Sequence, residues 1–109
     1  MALDLVRLTN ELSDLVRFVE AGYEGRDLDQ VRANLDDIRT KALQIETIVA
    51  SDRKIEPQSG SPAWLTARSA EYLLEQSSVR PIDWDTIGAC LSFLQTGIVL
   101  LAESMTESS

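Results

Sequence analysis

Residues 83–105 read DWDTIGACLSFLQTGIVLLAESM. Trp84, Ile87, Leu91, Leu94, Ile98, Leu101 and Met105 recur at alternating steps of three and four, which sets them on one stripe of an α-helix. No charge falls between Asp85 and Glu103. Phe93, Val99 and Leu100 lie off the stripe, so this helix is apolar over most of its circumference. Such a helix needs other helices or lipid around it. The uncharged run from Thr86 to Ala102 meets only the lower length limit for crossing a bilayer. It contains Thr86, Ser92, Gln95 and Thr96, and no Lys or Arg anchors either flank. A bundle core is therefore the expected role, and a membrane is not an expected partner.

The remaining chain supplies the helices that such a core requires. Leu5, Leu8, Leu12, Leu15 and Val19 form a heptad stripe over residues 2–21, widened by Val16 and Phe18. Gly22 follows as a stop in left-handed conformation, and the linker to Arg26 reverses the chain. Asp27 caps a second helix over 28–50, whose stripe runs Leu28, Val31, Leu35, Ile38, Ala42, Ile45 and Val49. Arg7–Glu11, Arg32–Asp36 and Asp37–Lys41 are spaced to pair on the outer faces. Residues 51–61 (SDRKIEPQSGS) read as a flexible loop. Ser61 then caps a shorter third helix over 62–77 with Pro62 in its first position. Ala63, Ala67, Ala70 and Leu74 give that helix a narrow face of small side chains. Asp83 caps the fourth helix, 84–105, and residues 106–109 are a frayed tail.

Nowhere does an alternating strand pattern occur. The expected fold is all-α: one domain over 1–109, an antiparallel four-helix bundle of three long heptad-patterned helices plus one shorter helix, with helix four central. Gly88, Cys90, Gly97, Ala102 and Ser104 flank the stripe of helix four, and their small size lets neighbouring helices come close.

Composition excludes several activities. The chain has 109 residues, a net charge of −8 and no histidine. Its acids are dispersed as five in 1–26, five in 27–50, four in 51–82 and four in 83–109, which reads first as solvated helix faces. That charge argues against direct nucleic-acid binding, which relies on clustered Lys and Arg. The single cysteine rules out an internal disulfide framework, and the N-terminal stretch lacks the form of a signal peptide, so cytoplasm is the expected compartment. Arg outnumbers Lys eight to two, pointing to a GC-rich bacterial or phage genome.

No catalytic constellation is legible. A thiol nucleophile at Cys90 would need a base, and packing beside the core is the simpler role. With no histidine and one cysteine, the chain lacks the ligands of a zinc site. A di-iron site needs Glu-x-x-His pairs and inward-facing acids, whereas no Asp or Glu lies on the stripes of helices one, two or four. Asp27-Leu28-Asp29 runs straight into helix, so it is no calcium loop, and no phosphate-binding or nucleophile-elbow motif occurs. No metal, no cofactor and no enzymatic activity are expected. Tyr23, Trp64 and Trp84 lie near helix ends, where aromatics commonly close a bundle. The sharper reading takes Trp64, Leu65, Tyr72, Phe93, Val99 and Leu100 as a partner or dimer interface. Asp29, Asp36 and Asp37 are the candidate acidic docking residues for a basic partner. The expectation is a small acidic module that binds another protein, in the manner of an inhibitor, immunity protein or secretion chaperone. The alternative is a self-assembling homodimeric helical module.

Overall fold

The computed structural model describes residues 2–53 and 61–107, with side-chain placements over 4–49 and 61–104. Five helical segments follow one another: α1 (Ala2–Glu24), α2 (Leu28–Arg32), α3 (Leu35–Arg53), α4 (Pro62–Gln76) and α5 (Trp84–Glu107). The fold is an all-α helical bundle. Its long axis of 42 Å accommodates the 24 residues of α5, about 36 Å at 1.5 Å per residue.

The stripes are buried as their spacing demands. Leu8, Leu12, Val16 and Val19 of α1 meet Val31, Leu35, Ile38, Ala42 and Ile45, and also Ile87, Leu91, Leu94, Ile98 and Leu101, in one core. Met105 belongs to the same stripe by spacing, but its side chain lies outside the described residues. Contacts link α1 to α3, α3 to α4, α4 to α5, and α5 back to α1. The side-chain contacts of α2 and α3 with α1, and of α3 with α4, run in opposite directions along the chain. Glu11 meets Lys41 while the Phe18 carbonyl meets Gln30 further back along the chain, and Arg68 meets Glu46 while Glu71 meets Arg39.

That closed ring corrects the expectation of a central fourth helix. Helix α5 is one corner of four, packed by α1 on one side and α4 on the other. Ser92, Phe93, Thr96, Val99, Leu100 and Glu103 are exposed. A ring of four helices encloses side chains at its centre and has no room there for a helix.

Three further expectations shift. Helix α1 continues through Gly22 to Glu24, and the residue with positive φ is Arg26, at 54°. Gly22 is instead a contact point, since a Cβ there would lie 2.9 Å from Cβ of Gln30. The second helix is interrupted at 33–34, where Ala33 N–H donates to the Gln30 carbonyl and Ile38 N–H resumes on Asn34. Val31 and Leu35 remain buried on either side, so the slip in hydrogen bonding leaves the stripe intact. Of the loop over 51–61, residues 51–53 belong to α3 and Ser61 caps α4; 54–60 lie outside the described residues. Of the tail, Thr106 and Glu107 are helical, and residues 108–109 lie outside the described residues.

Helix α4 begins as its sequence dictates, with Trp64 N–H donating to Ser61 Oγ at 3.2 Å. Its inward face holds Ala63, Thr66, Ala67, Ala70 and Leu73, so Leu73 takes the place expected for Leu74. Three hydroxyls buried around the core are satisfied locally. Thr9 donates to the Leu5 carbonyl, Thr66 to Pro62 and Ser77 to Leu74, at 2.7–2.8 Å.

Candidate functional site

Two glycines orient α5. A Cβ on Gly97 would meet Thr66 of α4, with the Thr66 backbone nitrogen at 3.0 Å. A Cβ on Gly88 would run into the Tyr23 ring of α1. With about 100° between successive residues, the residues outward of Gly97 are Phe93 and Leu100, and those outward of Gly88 are Ser92 and Val99. Ala89, Thr96 and Glu103 occupy the middle of the exposed face. Phe93, Val99 and Leu100 are 58%, 55% and 38% exposed.

The same construction on α4 puts Leu65 and Tyr72 on the flank nearest α5, and Trp64 with Arg68 on the flank nearest α3. Four of the six candidate interface residues thus share one side of the bundle: Leu65, Tyr72, Phe93 and Leu100. Val99 turns towards the α1 side of the same face, and Trp64 lies apart from all of them. Val6, Phe18 and Val79 are also exposed, though they belong to other parts of the surface.

A second feature lies across the bundle, between α1 and α3. One groove of about 520 Å³ is lined by Asp4, Arg7, Leu8, Thr40, Leu43, Gln44, Thr47 and Ile48. Another, of about 400 Å³, is lined by Glu11, Asp14, Leu15, Phe18, Asn34, Asp37 and Lys41. Lys41 bridges Glu11 at 3.2 Å and Asp37 at 3.9 Å, which leaves Asp14 without an ion partner among the described residues. Leu15 and the exposed Phe18 give this groove its apolar lining, and its charged lining is acidic on balance. Asp37 is the one candidate docking acid in it. Asp36, one residue earlier on α3, faces elsewhere, and Asp29 is exposed on α2. Arg32 and Asp36 form no ion pair with each other, because the break at 33–34 separates them. The sequence alone does not single out Glu11, Asp14 and Phe18 as site residues: Phe18 reads as core and the two acids as ordinary outer-face residues. Only the position of α3 brings them into one groove.

At one end, Arg26 lies over Tyr23 at 4.7 Å and over Trp84 at 5.3 Å, with the two rings 6.1 Å apart. Its Nη1 donates to the Tyr23 carbonyl. These aromatics close the junction of α1 and α5, and the stacked guanidinium ties the turn to it. Cys90 is buried, and desolvation pushes its thiol above the usual range, which holds it protonated. Among the described residues no group of acids or cysteine has the geometry to hold a metal ion. Helix α5 is long and apolar enough to cross a membrane by length and composition alone, with 39% of its apolar window buried in the bundle.

No family model, no curated protein and no solved structure matches this chain.

Proposed function

We propose that the protein is a non-enzymatic, cytoplasmic module that acts by holding a basic segment of another protein. The observation that carries this reading is the groove between α1 and α3. Leu15 and Phe18 supply its apolar lining, and Glu11, Asp14 and Asp37 outnumber Lys41 beside them. A Lys or Arg side chain lays its methylene stem on apolar surface and its charge among acids. Asp14 can take such a charge without breaking an existing pair. A net charge of −8 steers basic partners towards the molecule before contact. An inhibitor, an immunity protein or a secretion chaperone would each use such a surface.

An amphipathic Lys/Leu model peptide tests the reading, with a Glu/Leu peptide of the same length as control. The Lys/Leu peptide should bind more tightly at low salt, and Asp14→Asn with Asp37→Asn should weaken it by about five- to tenfold. The double variant should also flatten the salt dependence. Equal affinity for both peptides, or binding indifferent to these substitutions, would show that the groove is not a docking surface for basic segments.

A further inference from the structure

We propose that the outer face of α5 pairs with the same face of a second copy, antiparallel, about a twofold axis passing close to Thr96. This surface shares no residue with the groove between α1 and α3, so the inference goes beyond the function proposed above.

Charge selects the occupant. The chain carries −8, and two copies repel wherever acidic surfaces meet. From Thr86 to Ala102 helix α5 has no charge at all, so this is a stretch along which two such bodies can touch without like charges facing. A basic partner would find no acid there to pair with until Asp85 or Glu103. An anionic lipid surface would meet no Lys or Arg. The exposed side chains are apolar or small: Ala89, Ser92, Phe93, Thr96, Val99 and Leu100.

Register selects the direction. A twofold axis in the plane of contact reverses the helix and keeps the α4 side of one copy beside the α4 side of the other. Phe93, three residues before Thr96 on that side, then meets Leu100 of the second copy, four residues after it, and the contact occurs twice. Val99 meets Ser92 across the axis, again twice. Glu103, in the middle of the face, comes opposite Ala89. A parallel pair would instead set Glu103 against Glu103 in a largely apolar contact. Leu65 and Tyr72, on the flank of α4 nearest Phe93 and Leu100, extend the apolar contact on that side. At the steep crossing common in globular proteins, about −50°, two helices separate within a few turns of their closest approach, so Asp85, well before Thr96 in the helix, lies outside the seam.

The test uses the full chain. Light scattering over a dilution series should give twice the 12.1 kDa chain mass at high concentration, falling towards the monomer on dilution. Added salt should tighten this association severalfold by screening the net charge, the reverse of its effect on a basic ligand. Thr96→Cys should give a disulfide-linked dimer under mild oxidation. Facing residues of helices about 8–10 Å apart bring Cα atoms within the roughly 4.4–6.8 Å that a disulfide needs. Asp36→Cys on α3 should stay reduced, as should the wild type, whose Cys90 is buried. Phe93→Ser with Leu100→Ser should halve the mass and leave the helical circular dichroism unchanged, since both residues are exposed. Asp14→Asn with Asp37→Asn should leave the mass unaltered, which separates this proposal from the groove. A monomer at every concentration, with Thr96→Cys no more cross-linked than Asp36→Cys, would overturn the proposal. A dimer that survives the double Ser substitution would overturn it as well. So would a monomer that floats with phosphatidylcholine vesicles through Phe93 and Leu100, and the face would then belong to lipid.

Discussion

At the scale of single residues, the glycines discriminate most sharply between packing and mere tolerance. Gly97 is buried where α5 crosses Thr66, and a Cβ would stand 3.0 Å from the Thr66 nitrogen and 3.1 Å from its Cα. Backbone cannot step aside as a flexible side chain can, so the two helices would have to separate. Gly97→Ala should therefore destabilise by about 1–3 kcal/mol, the usual cost of overpacking. Gly25 is the control, because a Cβ there comes no nearer than 3.6 Å, to the Ala21 carbonyl oxygen. Gly25→Ala should be neutral or stabilising by about 0.4–1 kcal/mol, through reduced freedom of the unfolded chain. Urea denaturation of both variants checks the pair, and equal effects would remove Gly97 as the point of closest approach. The small-residue flank of α5 was legible in the sequence because Gly88 and Gly97 stand beside a heptad stripe. What each glycine touches was not, since Tyr23 and Thr66 lie far away along the chain.

At the scale of elements, the start signals were readable and some ends were not. Ser61-Pro62 and Asp83 open α4 and α5 where the sequence places them, because an N-cap is a local hydrogen bond. Gly22 read as a stop because glycine commonly ends helices, yet the chain uses it for close packing against Gln30 and turns at Arg26. The slip at 33–34 carries no glycine or proline and leaves the apolar stripe in phase, so periodicity could not reveal it. The two caps differ in a testable way. Asp83 accepts the Thr86 hydroxyl at 2.8 Å and the N–H groups of Asp85 and Thr86, and these bonds, the Thr86 hydroxyl first, hold its carboxyl below the usual range. A lowered folded-state pKa means stabilisation that is present above the unfolded value and lost as pH falls through the folded one. In a carboxyl NMR titration, Thr86→Val should move the Asp83 midpoint up towards that of an ordinary aspartate. Ser61→Ala should cost about 1 kcal/mol, with no pH dependence between about pH 3 and 7. A midpoint unmoved by Thr86→Val would assign the depression to the backbone donors alone.

At the scale of the whole molecule, charge governs behaviour more than any one contact does. The ion pairs among the described residues engage Arg7, Arg39, Lys41 and Arg68 with Asp4, Glu11, Asp37, Glu46 and Glu71, and all seven lie on the surface or partly so. Arg68 Nε, 3.1 Å from Glu71, lacks hydrogen-bond alignment, so even this pair is held by proximity alone. Exposed pairs of this kind stabilise little, and salt weakens them. The excess of eight negative charges acts in the opposite sense, because compaction brings acids such as Asp14, Asp29 and Asp36 closer to the rest. At about 10 mM salt the screening length of about 30 Å exceeds the 23 Å and 19 Å widths of the bundle though not its 42 Å length, so acids repel one another across the bundle and along much of it. At about 0.1 M the screening length falls to roughly 10 Å, and most of that repulsion is gone. Heating a dilute solution followed by circular dichroism should therefore give a Tm that rises by a few degrees between these two salt concentrations. A Tm that falls instead would mean that the cross-helix pairs of Lys41 and Arg68 outweigh the net charge. The same screening should favour the pairing of two α5 faces and loosen a basic segment from the groove beside Asp14. Salt thus separates the two surfaces within one titration, because self-repulsion opposes the first and attraction drives the second.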